Sequence, residues 1–129
     1  MRRIHQLLHR MAGNRPAEVT PTEVGPAEAV QKIRDGAVLL DVREPSEWSA
    51  GHAPGARHIP LGQLGGRLDE LPAAGEVVPV CRSGRRSAQA ATMIARTGRQ
   101  VHNVRGGMSA WQSAGLPVQT TGKRPGRIT

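Results

Sequence analysis

The strongest constraint on this chain is the character of its candidate strands. Ala37 to Val42 (AVLLDV), Glu76 to Val80 (EVVPV) and Gln100 to Val104 (QVHNV) read as short apolar runs without regular alternation. A strand that is apolar on both faces must be covered on both, which predicts a parallel sheet held between helix layers in an α/β fold. The segments between the runs fit that plan. Pro26 to Arg34 reads as a helix entered by proline and stopped at Gly36, and Pro45 to Ala50 as a short helix closed by Gly51. Arg86 to Arg96 ends at Gly98 and Met108 to Ala114 at Gly115, while 51–60 is a Gly/Pro-punctuated loop and Leu61 to Leu71 a weaker helix. In such folds ligands gather beyond the carboxyl ends of the strands. That points to Asp41–Glu44, Cys81–Ser87 and Arg105–Gly107.

At 129 residues the chain has room for one domain. No apolar run approaches the roughly 18 residues that span a bilayer. One cysteine cannot build a disulfide framework, and it suits a reducing, cytoplasmic setting. The net charge of +8 is unevenly placed. Arg2, Arg3, Arg10 and Arg15 lie among residues 1–15 without an acid, and Lys123, Arg124 and Arg127 lie in the last nine residues. Eleven basic and ten acidic residues share the body, so it is nearly neutral. With only two aromatic residues available to stack on bases, nucleic acid is not an expected partner. The expected organisation is a basic N-terminal extension over 1–18, a domain over 19–118 and a basic, flexible tail over 119–129. Within the extension, Ile4, Leu7, Leu8 and Met11 fall at the spacing of a short amphipathic helix.

The segment Cys81-Arg82-Ser83-Gly84-Arg85-Arg86-Ser87 places the cysteine at the end of a strand and before a helix. Three effects converge there. The helix start supplies unpaired N–H groups and the positive end of a dipole. Gly84 permits a left-handed turn that gathers amides into an anion-binding nest. Arg82, Arg85 and Arg86 add positive charge. Each favours thiolate over thiol, so Cys81 is the candidate nucleophile. Phosphatases that use a cysteine place an arginine six residues after it, a position held here by Ser87. The loop is accordingly tighter, and better sized for one sulfur atom than for a tetrahedral oxyanion.

These residues carry a resemblance. The chain resembles the single-domain rhodanese family through Leu40-Asp41-Val42-Arg43-Glu44 with Glu47-Trp48, and through Gly51-His52-Ala53-Pro54-Gly55-Ala56. It does so again through the Cys81–Ser87 segment and through Gly106-Gly107-Met108-Ser109-Ala110-Trp111. The resemblance spans about residues 20–118 and implies a three-layer fold around a parallel sheet of about five strands. It further implies sulfur transfer through a persulfide on Cys81, with residues Arg82, Ser83, Gly84, Arg85, Arg86 and Ser87 holding the substrate. The implied donor is thiosulfate or a persulfide, and the acceptor is cyanide or an outside thiol. Two alternatives on the same scaffold are a binding or regulatory module without turnover, and an arsenate reductase or phosphatase.

Asp41 and Arg43 are read as structural support near the pocket, His52 as a structural residue in its turn, and Trp48 and Trp111 as packing residues. His58 and His102 lack companions at metal-ligand spacing, and neither metal nor other cofactor is expected. Pro79 stands out. It removes a ladder donor from a strand expected to be central, so that strand is either bent or incompletely paired.

Overall fold

The computed structural model describes residues 19–129. The basic extension and its amphipathic spacing at 1–18 lie outside the described residues. The elements in chain order are β1 (Thr22–Val24), α1 (Pro26–Arg34), β2 (Val38–Asp41), α2 (Pro45–Ala50), β3 (Arg57–His58) and α3 (Leu61–Leu64). A 3-10 turn (Leu68–Glu70), β4 (Val77–Val80), α4 (Arg85–Ala95), β5 (His102–Val104) and α5 (Gly107–Ser113) complete the series.

All strand pairs are parallel. β2 lies between β3 and β4, in register Leu40 with Arg57 and Leu40 with Pro79, and β1 pairs with β5. A parallel bridge from Val77 to Val101 joins the two sets, giving the order β1-β5-β4-β2-β3. This is the expected sheet of about five strands. Both faces are covered, as the unbroken apolar runs require. On one face Leu40, Val42 and Val77 meet Leu64 from α3 and Ala90, Ala91 and Ile94 from α4. On the other, Leu39, Val78, Val80 and Val104 meet Ala29 of α1 and Met108 and Trp111 of α5.

Pro79 explains why the ladder is broken between β4 and β5. Glu76 and Val80 accept bonds from Val38 and Val42 on the β2 side, whereas the Val77 N–H donates to Gln100 on the β5 side. Backbone groups alternate sides along a strand, so position 79 faces β5. The next rung there needs an N–H that proline does not have. The strand stays fully paired with β2, and the missing pairing falls entirely on one seam.

Two short strands were not foreseen. β1 is held by its pairing with β5 and by a Thr22 hydroxyl contact with His102 Nδ1, whose Nε2 reaches Glu76 at 2.6 Å. β3 is only Arg57–His58. The weak helix expected over Leu61 to Leu71 divides into α3 and the 3-10 turn, because Gly65 and Gly66 interrupt it.

The residues expected as a loose tail return to the body. Gln119 and His52 exchange two backbone bonds of 2.9 Å, Gly126 N–H donates to Val118, and Arg127 N–H donates to Ala50. The reason is close backbone approach. A Cβ at Gly51 would lie 2.6 Å from Arg127 backbone atoms, and one at Gly126 would lie 2.8 Å from Gly51. Composition alone does not reveal that fit. Among the described residues, no helix is long and apolar enough to cross a membrane.

Candidate active site

Because the strands are parallel, Asp41, Val80 and Val104 end on the same side of the sheet, and Asp41–Arg43, Cys81–Ser87 and Arg105–Gly107 follow them there. Cys81 is 1% exposed. It is not enclosed by hydrocarbon alone. The Gly84 N–H donates to its Sγ at 3.1 Å and the Ser87 hydroxyl at 3.3 Å. Burial pushes the thiol pKa up, but the Ser87 hydroxyl and the amides of Ser87, Gly84 and Ser83 act against it. The net shift is downward, toward thiolate.

The loop holds that geometry through its carbonyls. Gly84 lies at φ 108° as the N-cap of α4, a conformation that favours glycine. The first amides of α5 donate outward to the loop: Met108 N–H to Cys81 O at 2.7 Å and Ser109 N–H to Arg82 O at 3.0 Å. In a trans peptide, C=O and N–H point in opposite directions. Drawing the carbonyls of 81 and 82 toward α5 therefore turns the amides of Arg82 and Ser83 the other way. Gly107 makes the approach possible, since a Cβ there would lie 2.3 Å from Cys81 O.

The loop arginines have different roles. Arg82 and Arg85 are exposed, and Arg85 sits in the first turn of α4 instead of before it. Arg86 makes a two-pronged pair with Glu47 of α2, at 2.7 and 2.9 Å. Its hydrogen bond to Glu47 is the largest influence on that carboxyl. Although burial raises the carboxyl's pKa, the balance holds it down at about 2. Glu47 also accepts the Glu44 N–H and so closes the start of its own helix. Arg86 thus braces the loop against α2.

Beside the loop, Asp41 and Arg43 form a fully buried pair. Arg43 Nη2 donates to Asp41 Oδ2 at 2.7 Å and to the Gly51 carbonyl at 2.7 Å. Its Nε bridges both carboxylate oxygens. Trp48 lies half-buried against His52, with ring centroids 3.5 Å apart, and against His58 at 4.7 Å. His52 donates Nδ1–H to Trp48 O and His58 donates Nε2–H to Arg43 O. Those bonds give each ring a defined tautomer and place neither on the sulfur. Trp111 is a core residue whose indole N–H donates to Pro117 O.

No three His, Cys, Asp or Glu side chains among the described residues gather as metal ligands would. A cleft of about 200 Å³ lined by Lys32, Asp35, Gly36, Ala37, Gly75 and Glu76 opens at the amino ends of β2 and β4, away from the sulfur.

A parallel α/β sheet carrying a hydrogen-bonded thiol in the loop beyond its central strand defines a class of proteins with a cysteine-centred site. Residues 25–114 match the family model of the rhodanese-like domain, and the chain belongs to that family. It is 36% identical over 99 residues to a sulfurtransferase of Allochromatium vinosum, covering 74% of this chain and 92% of that one. It is 32% identical over 103 residues to thiosulfate sulfurtransferase GlpE of Actinobacillus pleuropneumoniae, covering 78% and 95%. It is also 43% identical over 95 residues to the HTH-type transcriptional regulator Rv0324 of Mycobacterium tuberculosis. That match covers 71% of this chain but only 42% of the regulator's length. Among solved structures, a rhodanese-related protein of Thermoplasma volcanium superposes with a TM-score of 0.71 at 29% identity, over 75% of this chain and 96% of that one.

Proposed function

We propose that the protein moves a sulfane sulfur from thiosulfate, or from a persulfide donor, to an outside acceptor through a persulfide on Cys81. The observation that carries this reading is the pair of hydrogen bonds from the Gly84 amide and the Ser87 hydroxyl to Sγ. They favour the thiolate as nucleophile and provide polar stabilisation for negative charge on sulfur.

In the first step the Cys81 thiolate attacks the outer sulfur of thiosulfate. A new S–S bond forms, the old one breaks, and sulfite leaves with its electron pair. The terminal sulfur of the persulfide then carries the negative charge, close to the amides of the 82–87 segment. In the second step cyanide or a thiolate takes that sulfur, forming thiocyanate or a new persulfide and restoring the Cys81 thiolate. The sequence has one cysteine, so no second thiol of this chain can accept the sulfur. Arg82 and Arg85, both exposed beside the buried sulfur, attract the anionic donor and act more on encounter rate than on affinity. Reducing conditions such as those of the cytoplasm would keep the lone thiol available.

The test is an intact mass after incubation with thiosulfate. The expected product is one sulfur atom heavier, absent in Cys81→Ser, and returned to the starting mass by cyanide with release of thiocyanate. An unchanged mass without thiocyanate would support a binding module instead. Phosphate release from an aryl phosphate would support phosphatase chemistry.

A further inference from the structure

We infer that Asn103 is a positioning residue of the sulfur cradle, acting on Cys81 through the backbone of Gly84, and that Glu23 fixes its orientation. The sulfur-transfer reading supplies the purpose of the cradle; the hydrogen bonds that carry the inference stand apart from it.

Asn103 lies in β5, 2% exposed, between buried His102 and core Val104. Its Nδ2 donates to Gly84 O at 3.1 Å and to Glu23 Oε2 at 2.9 Å. Both partners only accept, so the amide has one orientation. Its Oδ1 is then buried without a partner. A buried acceptor left unpaired costs stability, which an apolar residue of similar size would avoid. The polar side chain is therefore useful here only for its two donors.

Gly84 is where such donors matter. It has no side chain to hold it, it occupies the left-handed region, and its amide hydrogen is spent on Cys81 Sγ. Its carbonyl takes the Ala88 N–H at 3.2 Å and the Asn103 amide. With C=O held toward β5, the following N–H, that of Arg85, is turned the opposite way. Glu23 completes the device from the edge of the sheet. The register of β1 on β5 sets Glu23 opposite Asn103.

The experiment titrates the Cys81 thiolate by its ultraviolet absorbance and measures its alkylation rate at neutral pH, using the full chain. Asn103→Leu keeps the volume, removes both donors and removes the orphaned acceptor. The expected result is a folded protein whose titration midpoint moves upward and whose alkylation slows by about threefold to tenfold, the size expected for one weakened hydrogen bond to a charged group. Glu23→Ala is expected to shift both readouts the same way by less, and Glu23→Gln, which retains an acceptor, to stay at or below the wild-type midpoint. A carboxylate acting only by its charge predicts a lower midpoint in both Glu23 variants. That pattern, or an unmoved midpoint in folded Asn103→Leu, overturns the inference. If Asn103→Leu does not fold, the exposed Glu23 pair decides by the same criteria. A wild-type protein that acquires no sulfur while these midpoints still shift would sink the proposed function and leave the positioning role intact.

Discussion

Replacing Glu47 with Gln removes the charge opposite Arg86 while keeping an acceptor for the Glu44 N–H. The folded carboxyl titrates at about 2, against an ordinary value of 4.5. At about 1.4 kcal/mol per pH unit, that gap corresponds to on the order of 3 kcal/mol. Glu47 is 18% exposed but the Arg86 side chain is 34% exposed, and solvent screening brings the expected contribution to about 1–2 kcal/mol. The sign follows from the direction of the shift. A carboxyl depressed in the folded state stabilises fully above 4.5, loses that contribution as pH falls from 4.5 toward 2, and contributes nothing below. Urea unfolding of wild type and Glu47→Gln, at neutral pH and again near pH 2, should show a deficit of that size which closes at the acidic end. A deficit of equal size at both ends would refute the reasoning, since it would place the cost in packing or capping and not in the charge.

Four further outcomes are expected. Ser87→Ala deletes the hydroxyl 3.3 Å from the sulfur and should raise the thiol titration midpoint and slow alkylation at neutral pH severalfold, with little change in Tm. Gly107→Ala sets a Cβ against the Cys81 carbonyl at φ 58°, so it should lower both Tm and sulfur loading. Gly36→Ala, also at positive φ but with open space around it, should cost only about 1 kcal/mol in urea unfolding. Asp41→Ala leaves Arg43 buried without its counter-ion and should cost about 3–5 kcal/mol by denaturant unfolding.

Much of the architecture was written in local signals. Pro26 and Pro45 open helices where the sequence predicts them, and the apolar runs around Leu39 and Val78 became adjacent parallel strands. β1 and β3 escaped notice because Thr22–Val24 and Arg57–His58 have no pattern of their own; each exists through a partner strand. The cysteine loop was legible because its strand end, glycine and helix start are contiguous. Its supports were not. Glu47 is 39 residues from Arg86, and Glu23 is 80 from Asn103, so no spacing rule links them. The available hint was an asparagine inside a short buried strand, beside core Val104. The return of residues 119–127 was hidden for a similar reason: Gly51 and Gly126 meet only in space.

The missing rung at Pro79 divides the sheet into two plates joined along one weak line, and the sulfur cradle straddles that line. The loop springs from β4, on one plate, while Met108 and Ser109 reach it from the segment after β5, on the other. Spreading of the plates would pull those restraints away from the thiol, and it would strain both hydrophobic layers, because each holds residues from both plates. Along this seam it is side-chain packing, more than the backbone ladder, that keeps the cysteine loop and its restraints together.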